Sequence, residues 1–261
     1  MPVPPAVVSR DEWLVARKAL LEREKELTHL KDVIAAERRK LPWVKVDKTY
    51  RFETDRGAQN LADLFEGRSQ LIVYHFMYGP EWESPCPSCC LMVDHLGGPL
   101  PHLNARDISL AVVSRAPLQK LSAMKQRMGW KFRWVSSGQT DFNYDMQVSF
   151  KPEDIRRGEV EYNYMKTPTP AEDLPGFSVF AKDDAGQVYH TYSSFARGCD
   201  LLLGTYNYID MTPKGRDEEG LNFGMAWVRL HDEYGPGYKV DPLANYAPPK
   251  GSCCHPAGAK V

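Results

Sequence analysis

Three short apolar runs constrain this chain more than any other feature: "LIVYHF" at 71–76, "DISLAVVSRA" at 107–116 and "KFRWVSS" at 131–137. All have strand length, and the first two carry the near-continuous apolar character of strands buried on both faces. Between the second and third lies "PLQKLSAMKQRMG", with Pro117 at its start and Gly129 at its end, the punctuation of a helix. The segment after the first run also opens as a helix. Strand–helix–strand–helix order predicts an α/β layer fold with parallel pairings. Upstream, "YRFETDRGAQNLADLF" reads as a strand, a turn at Arg56-Gly57 and a short helical "LADLF". Downstream, "GFSVFAKDDAGQVYHTYS" at 176–193 reads as a hairpin about "DDAG". Residues 141–175 form a long excursion between these elements, too polar for core, that either covers the functional face or moves.

The ends differ from this middle. Residues 1–8 read as a loose tail, and "SRDE" at 9–12 matches a capping box. A helix is expected to follow to about Arg39, stopped by Leu41-Pro42. Trp13, Leu20, Leu27 and Ile34 recur every seven residues, with Leu30 near the same face, on a helix roughly 45 Å long. So narrow a stripe fits a helix lying across its own domain or one packing against a second copy in a homodimer. "GLNFGMAWVRLHDEY" at 220–234 is expected to be a last helix, with "HDE" at 231–233 its polar end. The Pro/Gly-rich remainder is expected to be irregular. The domain boundaries that follow are 1–45 for a helical extension, 46–235 for the α/β domain and 236–261 for the tail.

Thirty-three basic residues face thirty-four acidic ones among 261, so charge gives no case for a nucleic-acid or anionic-membrane partner. No apolar run reaches the length of a membrane span. The N-terminus lacks the basic-then-apolar order of a signal peptide, so the expected compartment is cytoplasmic. Disulfides are rarely structural there, and clustered cysteines lean toward catalysis or metal binding.

Three of the six cysteines, Cys86, Cys89 and Cys90, fall within five positions just after the first run. In "CPSC" the first thiol would sit at a helix N-terminus, where unpaired amides and the macrodipole favour the thiolate. The second, one turn on, is placed to attack a mixed disulfide formed on the first. Pro87 suits an early helical position. A competing reading gathers Cys86, Cys89, Cys253, Cys254 and His255 into a tetrahedral zinc site, although the second ligand set is a vicinal pair on a Pro/Gly-rich tail. Cys199 reads as a small buried hydrophobe, and Cys90 as the same or as a second resolving thiol.

The segments "RDEWLVARKALLEREKELT", "AAERRKLPWVKV", "LADLFEGRSQLIVYHFMYGPEW", "CPSC", "FNYDMQVSF", "FSVFAKDDAGQVYHTYSSFARG" and "WVRLHDEY" span nearly the whole chain. In them the chain resembles a bacterial thioredoxin-like family of formerly unknown function, described as predicted dithiol-disulfide oxidoreductases. The resemblance implies a thioredoxin-like fold with a peroxiredoxin-like N-terminal hairpin, here with an added long N-terminal helix. It implies Cys86 as attacking and Cys89 as resolving thiol, with a cis-proline facing them. Pro175 is the candidate for that proline, although Gly176 follows it where many relatives carry threonine. Trp82 is a further candidate for substrate binding, but it lies four residues before Cys86 rather than next to it.

A thiol peroxidase is the rival within the same fold. Its motif spaces Pro, Thr or Ser, and Cys by four and then three residues; Pro80 and Ser84 keep the first spacing, and Cys86 comes one residue too soon. Nearby, Glu81 and Glu83 would raise the thiol pKa, while protonated His75 or His95 would lower it. The expected activity is thiol-disulfide exchange on protein or small-molecule disulfides without a bound cofactor. Electrons would pass to or from a redox partner protein or a low-molecular-weight thiol. The alternatives are a zinc- or soft-metal-binding protein without turnover and the peroxidase.

Overall fold

The computed structural model describes residues 6–169 and 171–244. The chain divides into two compact units, residues 1–42 and 43–261. The first is a single helix, α1 (Arg10–Arg38), and none of its residues is buried. Its capping box forms: the Glu12 amide donates to the Ser9 hydroxyl at 3.3 Å and the Ser9 amide to the Glu12 carboxylate at 2.9 Å.

The second unit begins with β1 (Val44–Lys45), β2 (Arg51–Thr54), β3 (Gly57–Asn60) and a 3₁₀ turn at Ala62–Phe65. Next come β4 (Gln70–His75), α2 (Pro87–Val93), α3 (Leu100–Ala105), β5 (Ile108–Ser114), α4 (Leu118–Met128) and β6 (Arg133–Ser136). The excursion holds α5 (Phe142–Asp145), α6 (Pro152–Arg156), β7 (Val160–Tyr162) and β8 (Met165–Thr167). β9 (Gly176–Lys182), β10 (Val188–Phe195), a 3₁₀ segment at Ala196–Leu202 and α7 (Gly204–Ile209) follow. Among the described residues, eight strands form one sheet in the order β1-β10-β9-β4-β5-β6-β2-β3. β4, β5 and β6 pair in parallel, as the crossover helices require, and the β9–β10 hairpin lies antiparallel on the other side of β4. This is a thioredoxin-like sheet. The β2–β3 hairpin, antiparallel to β6 at the far edge, is its peroxiredoxin-like addition.

Alternation along β4 sorts the core into two layers. Tyr74 and Phe76 face α2 and α4 together with Val112, Trp134 and Phe177. Leu71 and Val73 face the opposite layer with Phe52, Phe65, Phe142 and Phe180. None of the described helices is long and apolar enough to cross a membrane.

Two expectations are corrected. Residues 220–234 form turns and irregular chain, not a helix. Gly220 takes φ +84°, and the Ala226 and Val228 amides donate three residues back, to the Phe223 and Met225 carbonyls at 2.9 and 3.0 Å, in separate turns rather than a helical ladder. The Arg229 guanidinium donates to the Ala226 and Val228 carbonyls at 2.8 and 2.7 Å, partners that helical amides would otherwise have supplied. His231, Asp232 and Glu233 are therefore not a helix end. His231 Nδ1 meets Asp94 Oδ1 at 2.7 Å, and Arg127 pairs with Asp232 and Glu233.

The excursion, in turn, is neither coreless nor loose. Val148, Phe150, Val160 and Tyr162 are buried together with Phe195. Its neck closes where the Phe150 amide donates to the Glu172 carbonyl at 2.8 Å and the Leu174 amide to the Val148 carbonyl at 2.9 Å. Of the expected tail, residues 236–244 are turns and irregular chain. Cys253, Cys254 and His255 lie outside the described residues.

Candidate active site

β4 ends at His75, and ten residues then pass before α2 begins at Cys86, its N-cap. That connection is tied at several points. The Cys86 amide donates to the Met77 carbonyl at 3.2 Å, the Ala116 amide to Tyr78 at 2.8 Å and the Trp82 amide to Gly79 at 3.2 Å. From α4, Lys120 Nζ donates to the carbonyls of Pro80 and Trp82 at 2.7 and 3.1 Å. The Trp82 indole folds back over Gly79, where a Cβ would lie only 2.7 Å from its Nε1. Trp82 is thus a buried wall of the loop, and its Nε1 has no hydrogen-bond partner.

Cys86 is partly exposed, while Cys89, one turn on, is 1 % exposed. Pro87 occupies the first turn, where it withholds no needed amide. The Cys86 thiol is held below the ordinary thiol value. The largest cause is a hydrogen-bonding interaction from the Cys89 thiol, and the Ser88 and Cys89 amides aid it without closing a full capping bond. Burial opposes these effects. Cys89 is pushed well above the ordinary value by burial and by the neighbouring Cys86 sulfur. Two thiols one helical turn apart are therefore differentiated, the accessible one ionising first.

Both nearby histidines have other hydrogen-bond partners. His75 belongs to the layer opposite the dithiol, with its ring 5.6 Å from Phe142 and its Nε2 2.8 Å from the Ser178 hydroxyl. Burial, with His190 a lesser cause, lowers its pKa to about 3, so it is neutral. His95 Nε2 is engaged by the Thr205 amide at 3.0 Å and its hydroxyl at 2.8 Å. Cys90 is fully buried and Cys199 nearly so; burial pushes the Cys199 thiol up to about 12. Both behave as small core residues. Among the described residues no three His, Cys, Asp or Glu side chains are grouped to hold a metal ion. The zinc set also needs Cys253, Cys254 and His255, which lie outside the described residues.

Pro175 immediately precedes β9, and Gly176 lies opposite His75 in the β4–β9 register. All described peptide bonds are trans, which corrects the expectation of a cis-proline. The Pro175 carbonyl accepts the Tyr162 hydroxyl at 2.7 Å, and that oxygen in turn accepts the Ala196 amide at 3.0 Å. The buried Phe195 ring occupies the space a side chain at 176 would need, 2.6 Å from a Cβ built there. This explains why glycine stands at 176.

Sequence reasoning missed Tyr74. It lies on the dithiol face of β4, 2 % exposed, in the same core cluster as Cys89. The available signal was a tyrosine in an otherwise apolar buried strand, since a buried phenol needs a partner for its O–H.

The family described as "Bacterial protein of unknown function (DUF899)" matches residues 2–234. The chain belongs to that family. Comparison with curated proteins gives no match for this family member. Among solved structures it is similar to peroxiredoxin Q of Xanthomonas campestris, at 16% identity over 59% of this chain and 87% of that one, TM-score 0.40. Peroxidoxin BcpB from Mycobacterium tuberculosis is similar at 14% identity over 64% and 98%, TM-score 0.40. A hypothetical protein from Sinorhizobium meliloti 1021 follows at 12% over 58% and 70%, TM-score 0.36.

Proposed function

We propose that this protein is a thiol-disulfide oxidoreductase in which Cys86 attacks and Cys89 resolves. One observation carries the reading: a partly exposed thiol of lowered pKa caps a helix one turn before a buried thiol of raised pKa. The thiolate is the nucleophile, so the accessible, more acidic sulfur starts the exchange and the buried one completes it. Cys86 attacks a disulfide R–S–S–R′, forming a mixed disulfide with R and releasing R′–S⁻. Cys89 then attacks the Cys86 sulfur, releasing the second thiol and closing the Cys86–Cys89 disulfide. Two electrons pass from the dithiol to the substrate, and a redox partner protein or low-molecular-weight thiol returns them.

The test is a pair of serine substitutions assayed with glutathione disulfide. Cys86→Ser abolishes exchange, while Cys89→Ser performs the first attack and accumulates a glutathione adduct on Cys86. If Cys89→Ser instead turned over normally, or the adduct mapped to Cys89, the assignment of roles would be wrong. Turnover with peroxide but not with disulfides would favour the peroxidase.

A further inference from the structure

From Phe76 to Val93, on both sides of Cys86, the charged side chains are Glu81 and Glu83, and both are exposed. The bond from the Cys86 amide to the Met77 carbonyl closes residues 78–85 into a loop with the dithiol at its foot, and both glutamates lie on that loop. The loop is held in one shape: Trp82, between them, is buried, and Lys120 Nζ donates to the carbonyls of Pro80 and Trp82. Lys120 brings one ammonium, so the two carboxylates outweigh it. Among the described residues neither carboxylate forms an ion pair. Glu83 lies three residues before Cys86, which separates their Cα atoms by no more than about 11 Å even in full extension. The screening length is about 8 Å in physiological salt and about 30 Å in dilute buffer, so the charge is felt at the nucleophile.

We propose that Glu81 and Glu83 determine the specificity of this site: they form an acidic rim that admits cationic disulfides to Cys86 and repels anionic ones. The inference rests on the dithiol reading and deepens it by naming the charge class of the substrate. The step is the same for every disulfide R–S–S–R. The Cys86 thiolate attacks one sulfur, the bond from Cys86 to that sulfur forms, the S–S bond of the substrate breaks, and its electron pair leaves as R–S⁻. What differs is the approach. Opposite charge at a rim raises the encounter rate and like charge lowers it, an effect that salt removes. Substrates of this class are disulfides flanked by amino or guanidinium groups, such as a cystine beside lysine or arginine. Glutathione disulfide, an anion, still reacts, more slowly.

Three probes share the reaction and differ in charge: cystamine, a dication; 2-hydroxyethyl disulfide, uncharged; and glutathione disulfide. Reduced full-length protein is mixed with each at neutral pH in dilute buffer. Acid-quenched samples are mapped by mass spectrometry to follow the first attack on Cys86. Each rate constant is divided by that of 1-thioglycerol with the same disulfide, which removes the disulfide's own reactivity. We expect cystamine to exceed glutathione disulfide by roughly tenfold or more on this scale, with the neutral probe between them. High salt should draw the three together. Glu81→Gln with Glu83→Gln should do the same in dilute buffer, whereas Glu81→Asp with Glu83→Asp should keep the order. A change in thiolate fraction alters all three rates alike and leaves their ratios where they were. Equal normalised rates in the parent, or ratios that survive the glutamine pair, overturn the acidic rim and leave the dithiol reading intact. Attack on Cys86 by none of the three probes overturns both.

Discussion

The guanidinium of Arg115, one residue past the end of β5, meets the buried carboxylate of Asp173 at 2.7 Å, and the same carboxylate oxygen accepts the Ser149 hydroxyl at 2.5 Å. The contact fastens the excursion to the carboxyl end of the parallel strands. Glu172 takes a second guanidinium nitrogen at 2.9 Å. Burial raises the Asp173 carboxyl and Arg115 draws it back down, so removing the cation strands the acid. Arg115→Met should therefore cost about 3–5 kcal/mol, the range for breaking a buried pair. Asp173→Asn in the same background should restore part of it, since the change removes the stranded charge. Urea titrations of the single and double variants measure this; equal midpoints for parent and Arg115→Met would contradict it.

Lys120 fastens the other approach to the site through the Pro80 and Trp82 carbonyls. Lys120→Met should leave global stability within about 1 kcal/mol, since the lysine is only partly buried, yet loosen the loop. Amide exchange at Trp82 and Cys86 should speed up by roughly tenfold while the β4 amides stay unchanged. Lys120→Arg should recover part of the protection. Uniform exchange changes across the sheet would mean that Lys120 supports the fold rather than the loop.

Acid should weaken the fold through His75. Its folded pKa is about 3 against an ordinary 6.5, so between those values the unfolded chain binds the proton that the folded one refuses. This contribution is complete above pH 6.5 and is lost as pH falls toward 3, at up to about 1.4 kcal/mol per unit. His75→Gln cannot titrate and should flatten the fall of Tm over that window relative to the parent. Parallel curves for the two proteins would exclude His75 as the cause.

The stripe of α1 gives a prediction about assembly. Trp13, Leu20, Leu27 and Ile34, at the seven-residue repeat of paired helices, and Leu30 near the same face are all exposed along one helix. Particle mass from light scattering should correspond to two chains, and Leu20→Glu with Leu27→Glu should reduce it to one. A single-chain mass for the parent would assign the stripe another role.

The local rules of the chain carried far here. The capping box at Ser9 and Glu12, the first hairpin, whose turn lies at Asp55-Arg56, one residue before the expected Arg56-Gly57, the hairpin about "DDAG", the three apolar strands and the dithiol turn all depend on residues within a few positions of one another. They were legible for that reason. The apolar residues in 220–234 misled because helices and successive turns draw on the same residues, and only the layer beneath decides whether a helical ladder continues. The excursion read as coreless because its apolar residues are sparse along the sequence; Phe150 and Tyr162 gather around Phe195 only once the neck at 148–150 and 172–174 has closed. The separation of His75 from Tyr74 is the clearest case. They are adjacent in sequence, yet strand alternation sends one to the Phe142 layer and the other to Cys89. Sequence by itself determined that neighbours on β4 would face opposite ways. Which of them meets the thiols depended on which face of the sheet receives α2, and that is set by the packing of elements distant along the chain.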